Sequence, residues 1–234
     1  MIHMASLDHL VVAAATLEDG VHWCEATLGV TPLPGGLHPL FGTHNRLLPL
    51  TSPVHPLSYF EIIAIDPSAP PESQRRAPRW FDLDAPNMQL QLARQGPQLI
   101  HWVARVSDIH AALAAWDCLG ISRGQIIEAS RPTPNGLLRW KISVREDGQR
   151  LFDGALPTLI EWGTDHPRSG MTGPAFSLEA LSLSHPQYDL LSKAFDAVGI
   201  ENVRLHKGPA EIHAALVAPD RSRIELYHRP GLTE

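Results

Sequence analysis

One pattern constrains this chain above all others. An apolar strand holding a single histidine is followed, some tens of residues later, by an apolar strand holding a single glutamate, and the arrangement occurs twice. The first copy runs Leu7-Asp8-His9-Leu10-Val11-Val12 and then Tyr59-Phe60-Glu61-Ile62-Ile63; the second runs Leu99-Ile100-His101-Trp102-Val103 and then Thr158-Leu159-Ile160-Glu161-Trp162. Strand side chains alternate between faces, so His9 points with Leu7 and Val11, Glu61 with Tyr59 and Ile63, His101 with Leu99 and Val103, and Glu161 with Leu159. An ionised glutamate on an inward face needs a partner, either a metal or a basic group. The order His, Glu, His, Glu makes these four the candidate ligands. Arg105, on the strand face of His101, is the candidate partner in a metal-free structure.

The intervening segments complete a repeat. Thr16 caps a helix carrying Leu17, Val21, Trp23 and Leu28, which Gly29 closes; Asp108 caps a second with Ile109, Leu113, Trp116 and Leu119, which Gly120 ends. Residues 32–45 are too rich in Gly and Pro for a regular element, and a strand is expected at 46–49. Residues 66–97 show little periodicity and read as a long linker, with Arg79-Trp80-Phe81 as an anchor. Three further strands are expected at 125–129, 137–144 and 157–162. A third unit has a strand at 178–183, a helix at 186–198 stopped by Gly199, and short strands at 203–206, 212–218 and 223–227. Units two and three align without gaps over strand and helix, setting Leu99 over Leu178, Trp116 over Phe195 and Gly120 over Gly199. The expected fold is α+β: repeated βαβββ modules, two paired into a cup across residues 1–167 with a linker at about 66–98, and a third at 168–234. In the third, Ala180 stands where the histidine would be, while Glu225 keeps the glutamate place. A copy that keeps its fold but loses a ligand serves shape or association. An unmatched third module leaves a sheet face or edge to be covered, so a homodimer through residues 175–230 is expected.

Composition narrows the function classes. The 234 residues, 44% of them hydrophobic, are enough for one large domain or two small ones and argue against disorder. A net charge of −6 and no run of Lys or Arg give no field for a nucleic-acid backbone. The two cysteines, Cys24 and Cys118, fall in separate predicted helices outside any Cys/His cluster, which suits a reducing compartment. Residues 1–6 lack a charged leader region, and no apolar run approaches the roughly 20 residues of a membrane helix. The expectation is a soluble cytoplasmic protein with a small-molecule substrate and no membrane or nucleic-acid partner.

Paired βαβββ modules with His on the first strand and Glu on the last resemble the vicinal oxygen chelate superfamily, which includes glyoxalase I, extradiol dioxygenases and bleomycin-resistance proteins. Residues 218–226 are similar to the hairpin that ends many such modules. More narrowly, Leu7 to Val11, Pro34-Gly35-Gly36-Leu37-His38-Pro39 with Gly42-Thr43-His44-Asn45, and Tyr59 to Ile63 resemble the glyoxalase-like-domain branch. So do Ser130-Arg131-Pro132 with Asn135-Gly136, Trp140, Leu156 to Gly163, and His166-Pro167, the resemblance covering about residues 7–167. It implies a metal-dependent lyase or isomerase acting on a small oxygenated metabolite. The divalent ion (Zn, Fe, Mn or Ni) would be held by His9, Glu61, His101 and Glu161, and would stabilise the charge left when a proton departs from carbon. Glu161 is the candidate base and His44 a further catalytic candidate, with Asn45, Arg131, Trp140 and His166 around the substrate. In this branch the position of His101 need not be histidine. Three ligands, two His and one carboxylate, would suit a ring-cleaving Fe(II) dioxygenase; a cavity without metal would suit a binding protein of the bleomycin-resistance type.

Overall fold

The computed structural model describes residues 5–70, 78–133, 136–173 and 175–230. The first unit contains β1 (Ser6–Ala13), α1 (Leu17–Leu28), β2 (Leu33–His38), β3 (Thr43–Thr51) and β4 (Tyr59–Ile65). After α2 (Pro86–Gln95), the second contains β5 (Gln98–Arg105), α3 (Ile109–Asp117), β6 (Gln125–Thr133), β7 (Gly136–Val144) and β8 (Thr158–Trp162). The third contains β9 (Phe176–His185), α4 (Tyr188–Val198), β10 (Arg204–Lys207), β11 (Glu211–Val217) and β12 (Arg223–His228).

The two histidine strands lie side by side. β1 and β5 pair antiparallel, and each pairs in parallel on its far side with its own glutamate strand, β1 with β4 and β5 with β8. Outward from there run β3 and β2 on one side and β7 and β6 on the other, giving two matched βαβββ modules in one sheet. The helix signals act as read: Thr16 Oγ1 accepts from the Asp19 N–H at 3.0 Å, Gly29 closes α1 at φ 71°, and Asp108 Oδ1 accepts from the Ala111 N–H at 3.0 Å. Among the described residues no helix is long and apolar enough to cross a membrane.

Two expectations fail for local reasons. The Gly/Pro-rich stretch does hold a strand, β2, because it lies outermost beside β3 and a register slip between Pro34 and Leu37 absorbs what Pro cannot donate. The linker holds α2, which has no side-chain cap bond at Ala85 and relies on Pro86 in its first turn and Gly96 at its end.

The third unit repeats the element string with a different strand order, β10-β9-β11-β12, and joins the rest through a short parallel pairing of β9 with β3 at Leu50–Phe176 and Thr51–Ser177. Its apolar face is not left open. Leu181, Phe195 and Leu216 share one core with Leu10, Phe60 and Trp102 on the back of the main sheet. The Trp116 indole N–H donates to the Ala194 carbonyl at 2.8 Å, and Trp102 meets Phe195 edge-on at 5.8 Å. The sheet face through which a homodimer is expected is covered within the chain. Glu225 sits in an exposed network with His213 (2.5 Å) and Arg223 (3.3 Å).

Candidate active site

The front of the main sheet is the cup, and its chemistry starts at a register slip. Between Leu7 and His9 the pairing of β1 with β5 skips one residue, so Asp8 has no opposite partner. In a regular strand Asp8 would face away from His9; the slip lets its carboxylate turn to the same side. There it is fully buried, and its Oδ1 lies 2.7 Å from His9 Nδ1. Its Oδ2 accepts from the Trp162 indole N–H at 2.9 Å and from His166 Nε2–H at 2.9 Å. Burial pushes the Asp8 carboxyl up, but the hydrogen bonds from His166 and His9 outweigh it and hold the group well below the usual carboxylate range. An ionised Asp8 accepts only, so His9 Nδ1 carries a proton, and Nε2 looks into the cup. His166 takes the opposite tautomer, because its Nδ1 accepts from the Arg168 N–H at 3.1 Å.

Opposite His9 stands Glu61, its Oε2 3.6 Å from His9 Nε2 and both side chains buried. Glu61 Oε1 accepts from Asn45 Nδ2 at 2.5 Å, and Asn45 Oδ1 accepts from the Gly36 N–H at 2.8 Å. The Gly35-Gly36 pair is what permits this. A Cβ on Gly35 would fall 2.0 Å from Asn45 Oδ1 and 2.3 Å from the Asn45 carbonyl oxygen; one on Gly36 would fall 1.9 Å from an Arg131 guanidinium nitrogen. His38 completes the cluster, 3.1 Å from Thr43 Oγ1 and 3.4 Å from Asn45 Nδ2. Burial takes His38 down to about 4 against the upward pull of Glu61, so it is neutral near pH 7. Tyr59 stacks on His9 at 4.6 Å, its hydroxyl raised well above the usual range by burial and then by the Asp8 and Glu61 charges.

Arg131, Trp140 and Trp162 line the same cavity, which has room for about 30 Å³ at its floor. Leu47, Arg131 and Pro167 also line a wider vestibule of about 680 Å³ outside it, so these three form the neck. Among the described residues Arg131 has no hydrogen-bond or ion-pair partner.

The other half of the cup is filled. Arg79, Trp80 and Phe81, the expected anchor of the linker, are buried, and Phe41, Trp80 and Phe81 stack at 3.9 and 5.0 Å. Phe81 in turn lies 5.2 Å from the His101 ring. Phe81 and Asp82 both adopt left-handed backbone (φ 61° and 60°), held by Arg79–Asp84 (2.5 Å) and Asp82–Arg150 (2.7 Å) ion pairs.

Four expectations are corrected by this geometry. His101 is fully buried; its Nδ1–H donates to the Gly154 carbonyl at 3.0 Å and its Nε2 accepts from the Thr158 N–H at 3.2 Å, so both nitrogens are occupied within the fold. Burial and the Arg123 and Arg150 charges hold that ring well below the usual histidine range. Glu161 does share a face with Leu159, but that is the back face; it accepts from the Ile109 N–H at 2.8 Å at the start of α3 and from Lys141 at 3.0 Å. Lys141, not Arg105, is therefore its partner. His44 alternates with Thr43 and Asn45 along β3 and points away from the cup, beside Arg46 and Asp66, with burial lowering its proton affinity. Glu61, Asn45, Arg131 and Trp140 line the same cavity as His9, and His166 bonds Asp8 beside it.

The divalent metal expected from the four-residue pattern does not fit the residues present. Of its four donors only His9 Nε2 and Glu61 Oε2 face one another, and the third nearby donor, His38 Nε2, has the Asn45 amide nitrogen beside it. Among the described residues no group of three His, Cys, Asp or Glu side chains is arranged to hold a metal. The two-His, one-carboxylate face fails for the same reason, since His101 is sealed behind Phe81 with both nitrogens bonded. Two further members of the site, Asp8 and His38, carry fainter signals in the sequence. Asp8 is a charged residue inside an otherwise apolar strand, which is itself a signal; His38 lies in a Gly/Pro-rich segment whose composition argues against a regular element.

Residues 7–199 match the glyoxalase-like domain family. No curated protein matches the chain in sequence. Among solved structures, a hypothetical protein from Staphylococcus aureus is similar over 95% of this chain and 85% of its own, at 12% identity and a TM-score of 0.57, a likeness of fold. A methylmalonyl-CoA epimerase from Mycobacterium tuberculosis is similar over 70% of this chain and 91% of its own, at 16% identity and a TM-score of 0.39.

Proposed function

Because the chain belongs to the glyoxalase-like domain family, we propose that its first-module cup is an acid–base site of the lyase or isomerase type, moving a proton on a carbon beside a carbonyl or carboxylate of a small oxygenated anion. The observation that carries this reading is the Asp8–His9–Glu61 line: Nδ1–H held by a buried carboxylate at 2.7 Å and Nε2 directed to the cup, 3.6 Å from a second carboxylate. An imidazole so held has one tautomer and one orientation, which is what a general base requires. When His9 Nε2 takes the substrate proton, the imidazolium lies between Asp8 and Glu61 and both carboxylates stabilise it. The negative charge left on the substrate oxygen falls to Arg131, the cation at the neck with no partner among the described residues. Return of a proton to that same carbon completes an exchange or an epimerisation, and departure of a group, with its bonding electrons, from the adjacent carbon completes an elimination.

The test is binding first and turnover second. Trp80, Trp140 and Trp162 line the cup, so a ligand there changes tryptophan fluorescence. Titration with pyruvate, lactate and malonate is expected to show saturable quenching in the native protein and at least a tenfold loss of affinity in His9→Ala and Glu61→Ala. Solvent-deuterium incorporation at the carbon beside the carbonyl, measured by NMR, is expected with the native protein and absent with His9→Ala. Binding without exchange would favour the binding-protein reading. A rise of several degrees in melting temperature with Zn²⁺, Ni²⁺, Mn²⁺ or Fe²⁺, abolished by both substitutions, would replace the acid–base reading with a metal-dependent one.

A further inference from the structure

The two cavities differ in size by more than tenfold and meet at one cation, and this points to the shape of the ligand. The floor, about 30 Å³, holds roughly two water-sized groups. The vestibule, about 680 Å³, is within the ordinary range for small-molecule sites. Its walls carry Leu33, Leu47, Leu57, Leu137, Leu138 and Met171, together with threonine, serine and Asp165. Leu137 is 46% exposed, an apolar side chain left in water beside an open pocket. At the neck Arg131 has no partner among the described residues, and Gly36 supplies the space in which its guanidinium lies.

We infer that the ligand is an amphipathic carboxylate: a planar anionic head received by Arg131 at the neck, a reacting carbon within reach of His9, and an apolar tail laid along the vestibule. The inference rests on the reading of the cup as the ligand site and adds the class of molecule it takes. A carboxylate is favoured over a phosphate by the donors present. One guanidinium offers a planar fork that matches a carboxylate through two parallel hydrogen bonds, whereas a phosphate would call for a second cation or a set of backbone donors. The two carboxylates already in the cup do not repel the head from an open position. Asp8 is covered by His9, His166 and Trp162, and Glu61 is held by Asn45. The size of the floor makes a tail in that direction impossible and leaves the vestibule as the route.

The experiment is fluorescence titration of the native protein with straight-chain 2-oxo acids from three to ten carbons, with the matching methyl ketones and alkyl phosphates as controls. Affinity is expected to rise with each methylene by up to about fourfold until the vestibule is filled. The methyl ketones are expected to bind at least tenfold more weakly than the acids, and Arg131→Met to erase that difference. Leu137→Ser, at an exposed position, is expected to flatten the dependence on tail length. Pyruvate binding with no gain from longer tails overturns the inference and leaves the acid–base site standing. Ketones equal to acids, or phosphates better than acids, overturn the carboxylate head. Failure of every acid overturns the inference, and deuterium exchange, read separately with His9→Ala, decides the reading beneath it.

Discussion

The two halves of the cup have the same strand pairing and opposite contents. In the first module β4 turns Glu61 inward to meet His9, and the space in front of them opens to the vestibule. In the second, β8 turns Ile160 and Trp162 inward and sends Glu161 to the back, where it holds the start of α3, while His101 is sealed behind Phe81. One histidine has a nitrogen to spare and the other has none. A duplicated module therefore keeps its architecture through strand pairing alone, while its chemistry depends on strand phase and on what the connecting segments place in front of it.

The largest effect that would break this comparison is on the plug. Phe81→Ala is expected to cost about 3–4 kcal/mol of unfolding free energy, read from urea denaturation, and to enlarge the floor of the cup. An unchanged midpoint would mean that the aromatic stack is not what fills the second half. Next, His101→Ala is expected to cost about 3 kcal/mol, since it leaves the Gly154 carbonyl and the Thr158 N–H unpaired in the interior, with ligand affinity in the folded protein unchanged. His9→Ala is expected to do the reverse, losing affinity with a smaller change in stability.

Acid sharpens the contrast further. His38 binds its proton at about 4 in the fold and near 6.5 in the unfolded chain, so its contribution is intact above pH 6.5 and is lost as the pH falls toward 4. At pH 5 the loss is about 2 kcal/mol, and His38→Gln is expected to flatten the stability profile between pH 7 and 5 by that amount. His101, lowered for the same reason, acts in the same direction. The smallest effect belongs to Glu161→Gln. It weakens one ion pair with a part-exposed lysine and one helix-end hydrogen bond, so a loss of about 1 kcal/mol or less is expected, with no change in ligand binding.

How much of this was legible in the sequence follows the physics of each signal. The helices α1 and α3 were readable because Thr16, Asp108, Gly29 and Gly120 act locally, within a turn of where they stand. The pairing of His9 with Glu61 was readable because both lie in strands whose apolar alternation is clean. Glu161 was not. Its neighbours Leu159 and Ile160 are both buried, one on each face, so the alternation that fixes a strand's phase is missing there. Asp8 was hidden by the register slip, a property of the pairing with β5 that β1 does not encode by itself. The plug could be suspected from Arg79-Trp80-Phe81, but its position in front of His101 depends on the Asp82–Arg150 ion pair, whose partner is 68 residues away, as well as on the local Arg79–Asp84 pair.

The floor of the cup belongs to a connection between modules, not to the strands that form its walls. A substitution at Trp80 or Phe81 changes how deep the pocket is without disturbing the hydrogen-bonded ladder of any strand, and Asp8, His9 and Glu61 keep their places. Pocket depth and the placement of Asp8, His9 and Glu61 are thus set by separate stretches of chain.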